Sequence, residues 1–168
     1  YGHEELVTKL QAWLLRRTGG NTAFLRAMAS VALEQRPPLA WWRDFRLDGG
    51  KAHPHTLDLK LRGIRLFVDA ARVLALDHGV VATNTVERLR GLRKSMGLRL
   101  PPREVEAMAA AFYQMQRLRL QNQVGGEFPD AANRLNPDRL HKFDRQILKE
   151  ALRQARTLQL RLQLDYLT

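Results

Sequence analysis

The side chains best placed for chemistry fall in one short stretch. Asp58, Lys60 and Arg62 alternate with Leu57, Leu59 and Leu61, the two-residue rhythm of a half-buried strand. Residues two apart on a strand share a face. This spacing therefore predicts an acid and two bases side by side, aimed outward from a rigid support whose leucines are buried. From Gly63 the apolar residues fall at Ile64, Phe67, Val68, Ala71, Leu74 and Ala75, one face of a helix. Gly63 is expected at the corner, where a backbone bend costs least. The N-terminus of the helix that follows would add partial positive charge suited to a phosphate. The plainer reading of Asp58 and Lys60 is a local ion pair on a solvated face.

Other chemistry is sparse. His53 and His55 flank Pro54, but no spaced acid or third histidine accompanies them, so solvated loop histidines are expected rather than a metal site. The chain holds no Walker loop, no His-Glu-x-x-His and no convincing nucleophile–histidine–acid set. With no cysteine it can build neither a disulfide framework nor a thiolate metal site, which is compatible with a reducing cytoplasm. No apolar run approaches the ~20 residues of a membrane span, and no signal peptide opens the chain.

The 168 residues, 45% of them hydrophobic, suit one domain with a real core. The formal charge of +11 and pI near 11.0 admit nucleic acid, nucleotide or acidic-protein partners. Arginine is scattered along every helix among acids, without a block of like charge, which favours solvated basic faces over a dedicated polyanion stripe.

The elements that must position these residues read mainly α: a bundle of about five to six helices with one short hairpin or strand pair near residues 43–61. His3–Arg17 places Leu6, Leu10, Trp13 and Leu14 on one face. Asn21 caps a second helix through Leu33, with Phe24, Leu25, Met28 and Val31 or Ala32 inward, stopped by Pro37-Pro38. Trp41 and Trp42 cannot both sit on one helical face. They read as a hydrophobic plug under a loop in preference to a docking surface. Arg43–Asp48 is a candidate strand returning through Asp48-Gly49-Gly50 to pair with Leu57–Leu61. Asn84 and Glu87 form a capping box for a helix burying Val86, Leu89, Leu92 and Met96, closed by Gly97. Pro101-Pro102 opens a helix burying Val105, Met108, Ala109, Phe112 and Met115. Glu127–Leu135 reads as loop. Asn136-Pro137 opens a last helix to about Asp165, with Leu140, Phe143, Ile147, Ala151, Ala155, Leu158 and Leu162 on one face and Lys142, Arg145, Lys149, Arg153 and Arg156 on another. The whole of 1–168 is expected to be a single helical domain, the C-terminal fragment of a longer multidomain protein.

Five stretches carry a resemblance. TLDLKLRGIRLFVDAARVLAL at 56–76 and TNTVERLRGL at 83–92 are joined by RPPLAWWRDF at 36–45, LRLQNQ at 118–123 and LNPDRLHKFDRQILKEALRQARTLQ at 135–159. Their order and spacing resemble the nucleotidyltransferase substrate-binding domain family over nearly the whole chain. Leu66 departs from the pattern, standing where a proline is expected. The resemblance implies a cytoplasmic bacterial signalling protein. In it, this domain follows a DNA-polymerase-β-like nucleotidyltransferase domain, often with CBS or cyclic-nucleotide-binding domains, as in relatives of the nitrogen-regulatory uridylyltransferases. It implies a substrate-side wall of the cleft, with Asp58, Lys60, Arg62, Arg72 and Arg88 as substrate-binding candidates. Mg²⁺ and a nucleoside triphosphate are expected for the parent protein, and no cofactor for this chain. Expected partners are the upstream nucleotidyltransferase domain and a nucleotide or protein acceptor, with no membrane and a possible homodimer.

Nucleotidyl transfer by two metals requires a Gly-Ser or Gly-Gly turn followed by a strand with paired carboxylates. Gly19-Gly20 is followed by an apolar helix instead, so no catalytic residue is assigned here, and Asp58 alone lacks its two partners. Whether the chain takes part in catalysis is left open, with the isolated chain expected to be inactive. The competing reading is a basic helical domain that binds nucleic acid or another protein.

Overall fold

The computed structural model describes residues 3–41, 44–94, 100–125 and 131–168. The first helix, α1 (Glu4–Thr18), carries Glu4 and Glu5 in its first turn and Arg16 and Arg17 in its last, the charge order that complements the helix dipole. The second, α2 (Thr22–Leu33), starts where the Asn21 side chain accepts the Phe24 N–H at 3.1 Å. An irregular stretch follows Pro37 and Pro38, and leads to β1 (Leu57–Asp58) and a π-helical turn over Lys60–Ile64. That turn runs directly into α3 (Arg65–Asp77), which ends at Gly79 with a φ of 65°. Asn84 accepts the Glu87 N–H at 2.8 Å and opens α4 (Thr85–Gly91). The long helices α5 (Pro102–Gly125) and α6 (Lys142–Tyr166) flank β2 (Arg134–Leu135). Among the described residues this is a mainly helical fold of six α-helices and one two-stranded antiparallel sheet, as the sequence predicts. No described helix is long and apolar enough to cross a membrane.

The core gathers around α3, whose Phe67, Ala70, Ala71 and Leu74 are fully buried. Against them pack Leu25 and Ala29 of α2, Leu89 of α4, Met108 and Met115 of α5, and Leu148, Leu152, Ala155 and Leu158 of α6.

Several local expectations change. The strand predicted over Leu57–Leu61 stops at Asp58, because the Asp58 carboxylate accepts the Leu61 N–H at 2.8 Å and caps a helical turn. Leu59 is already helical, with φ −62° and ψ −33°. Leu57 and Leu59 are therefore buried, while Leu61 is 44% exposed. Gly63 is not a corner. It sits inside the π-helical turn, where the end of Met115 occupies the space a Cβ would need. The ladder partner of β1 is also different. Leu57 pairs with Leu135 and Asp58 with Arg134, inside the stretch read as loop, while the predicted hairpin is reduced to a single bridge between Asp48 and Thr56. Alternation says nothing about which strand lies alongside.

Burial differs at several helices. Leu6, Leu10 and Trp13 of α1 are more than half exposed and Leu14 is 41% exposed, so this apolar face has no cover in the described chain. On α2, Leu25, Ala29 and Ala32 are buried, whereas Phe24 and Val31 are exposed. Asn136 and Pro137 form a separate 3₁₀ turn, and α6 begins only at Lys142, capped by His141. Phe143 is then 70% exposed and Leu148 takes the buried place. Trp41 is 97% exposed and plugs nothing. Trp42, Met96 and Gly97 lie outside the described residues.

Candidate functional site

The five candidate side chains separate into two places. Around β1, Asp58 is spent as a cap, so the amides of the helical start are met by a carboxylate of the chain itself. Lys60 is exposed on the π-helical turn, with no ion-pair partner among the described residues. It does not share a strand face with Asp58, since the backbone turns helical between them. Arg62 reaches back to Asp48, with Nη1 to Oδ1 at 2.8 Å, and the other Asp48 oxygen accepts from Arg134. Asp48 thus ties the irregular stretch to both the π-helical turn and β2. Sequence spacing missed this tie, because its three members are far apart in the chain.

Arg72 and Arg88, by contrast, stand on two helices that pack together, α3 and α4. Arg65, Asp69 and Arg72 recur at helical spacing on one face of α3. Asp69 is shared by both arginines, at 2.9 Å from Arg65 Nε and 3.6 Å from Arg72 Nη1. Arg88 comes from α4. Its Nε donates to the Ala82 carbonyl at 3.0 Å, which fixes the guanidinium against the loop that leads into its own helix. Burial pushes the Arg88 guanidinium below its ordinary pKa, and the positive charge of Arg72 adds to this. Among the described residues no carboxylate pairs with Arg88. The α3–α4 face therefore holds three guanidiniums against one carboxylate. One of them, Arg88, is half-buried and lies within the electrostatic reach of Arg72, which favours an anion near it.

Beside this face lies a hollow of about 350 Å³ between α2 and α3. Its rim carries Arg65, Asp69 and Arg72, and its walls are Phe24, Met28 and Val31. The exposed Phe24 and Val31 that break the expected α2 stripe thus line a cleft. An apolar wall beside paired guanidiniums suits a ligand with a flat apolar part and a phosphate.

The basic face of α6 behaves differently. Arg145 meets Asp44 at 3.1 Å and Asp138 at 2.5 Å, Lys149 meets Asp44 at 2.6 Å, and Arg153 meets Glu150 at 3.3 Å. The hydrogen bonds from Lys149 and Arg145 hold the Asp44 carboxyl below its ordinary range. Most of the stripe that could have served a nucleic acid backbone is thus neutralised within the protein, and its cations anchor the irregular stretch to α6. Among the described residues no group of three or more histidine, aspartate or glutamate side chains converges to hold a metal ion.

No curated protein and no solved structure matches the chain. Residues 22–166 match the family model described as "Putative nucleotidyltransferase substrate binding domain", which leaves only α1 and the two chain ends outside it, and the chain belongs to that family.

Proposed function

We propose that this chain is the substrate-holding part of a larger signalling nucleotidyltransferase. It forms the substrate-side wall of the cleft and contributes no catalytic carboxylate. Arg72 and Arg88 hold a phosphate of the nucleotide or of its acceptor, and the hollow lined by Phe24, Met28 and Val31 takes an apolar part of the same molecule. The observation that carries this reading is the half-buried Arg88, its guanidinium held by the Ala82 carbonyl and without a carboxylate partner among the described residues, on the helix packed against the one that bears Arg72. A desolvated cation next to a like charge is unfavourable unless an anion completes it. In this reading the metals that a two-metal transfer uses are held by the upstream nucleotidyltransferase domain.

The experiment is steady-state nucleotide transfer by the complete protein bearing Arg72→Ala, Arg88→Ala or Arg88→Lys, with melting measured alongside. Loss of a phosphate contact raises KM at least tenfold for the substrate held here, and lysine restores it only in part because it lacks the planar fork. Unchanged KM in folded Arg88→Ala protein overturns the assignment.

A further inference from the structure

A second basic hollow, sharing no lining residue with the first, lies between the chain after α2 and the C-terminal half of α6. Its volume is about 610 Å³, the size range of small-molecule sites. Arg36, Arg46 and Arg156 line it. All three are exposed, and none has an ion-pair partner among the described residues. This sets them apart in a chain where many arginines are paired. Arg62, neutralised by Asp48, completes the basic wall, and Glu34 is the one acid lining it.

The same hollow is lined by a nearly buried amide whose oxygen has no hydrogen-bond donor among the described residues. Gln159 is 5% exposed, and its Nε2 donates to the Ala32 carbonyl at 3.1 Å and the Gln35 carbonyl at 2.7 Å. Two carbonyl partners fix which end of the amide is nitrogen. The Gln159 carbonyl oxygen is left without a donor among the described residues, yet it is not sealed from solvent. A nearly buried acceptor of this kind calls for an N–H or O–H from whatever fills the hollow. Leu39 and Leu160 supply apolar surface beside it.

We propose that this hollow binds a nucleoside polyphosphate. The three free guanidiniums take the phosphate chain, the leucines cover a face of the base, and the Gln159 oxygen accepts an N–H from the base edge. Every nucleobase offers such an N–H, so the oxygen asks for a base without selecting one. The proposal does not depend on the Arg72–Arg88 pair.

Calorimetric titration of the 168-residue chain tests it, with ATP and with inorganic triphosphate as probes. ATP is expected to bind at least tenfold more tightly than inorganic triphosphate. The Arg36→Ala/Arg46→Ala/Arg156→Ala variant is expected to lose at least thirtyfold in ATP affinity while keeping its far-ultraviolet dichroism. Arg103→Ala, which removes an exposed charge from α5, is expected to change nothing. Equal affinity for the two probes overturns the nucleoside part of the proposal. Absence of ATP binding at millimolar concentration overturns the whole, as does binding that survives the triple variant and is lost in Arg72→Ala/Arg88→Ala.

Discussion

Replacing Gly63 with alanine tests the packing on which the π-helical turn and α3 depend. A Cβ at Gly63 would lie 2.2 Å from Met115 Cε and 3.6 Å from Met115 Sδ. Met115 is completely buried, so its terminal methyl must move into an occupied core. Such overpacking costs about 1–3 kcal/mol. The backbone itself favours alanine, since Gly63 is not in the left-handed region and alanine is better than glycine in a helix by about 1 kcal/mol. The net expectation for Gly63→Ala is a loss of about 1 kcal/mol, which is about 2–4 °C in Tm for a chain of this size. Met115→Ala alone should cost about 2–5 kcal/mol and leave a cavity beside the glycine. In that background the new methyl has room, and its burial adds about 0.8 kcal/mol to the helix gain. Gly63→Ala should then stabilise by about 1–2 kcal/mol. The cycle, measured by urea denaturation followed by circular dichroism, thus predicts a change of sign with a coupling of about 2–3 kcal/mol. The same loss in both backgrounds would show that the methyl does not meet Met115 and would refute the packing argument.

Two further expectations concern stability. The Asp44 carboxyl is held below its ordinary value of 3.8 by Lys149 and Arg145, so its contribution is complete above that value and is lost as the pH falls through the lower folded value. Acid titration of folding free energy should show that loss in the native chain, and Asp44→Asn should flatten it. The effect is small, because all three side chains are partly exposed. Phe112 is half-buried and meets Phe67 edge-on at a centroid distance of 6.0 Å. Phe112→Ala should therefore cost about 2–3 kcal/mol, less than the ~3–5 of a fully buried ring; thermal denaturation yielding under 1 kcal/mol would exclude that contact.

The helices were legible because their signals are local. Asn21 and Asn84 cap where their types and spacing announce, and the stripe from Ile64 to Ala75 is buried at every position except the half-buried Val68. For the candidate site, the resemblance names Arg72 and Arg88, but the sequence does not say that their helices pack together. That depends on how α3 and α4 cross. The strand face failed because an aspartate after a leucine reads equally as an outward strand residue and as a helix cap, and alternation over five residues cannot distinguish the two. The neutralised basic face of α6 was hidden for a third reason. Asp44 lies about a hundred residues from Arg145 and Lys149, and sequence periodicity carries no information at that range.

The pairing of β1 with β2 joins residues about eighty positions apart. Closing a flexible loop of that length costs about 4 kcal/mol in chain entropy, far more than a two-residue ladder returns. The ladder can exist only because α3, α4 and α5, folded between its strands, already deliver the two ends to one place. Order at this corner is thus borrowed from the bundle. The hydrogen bond from the Leu59 N–H to the Asn133 carbonyl, at 2.9 Å, is therefore expected to exchange its proton sooner than the bundle core. Arg62, whose tie to Asp48 depends on the same junction, is held in register only while the bundle is intact.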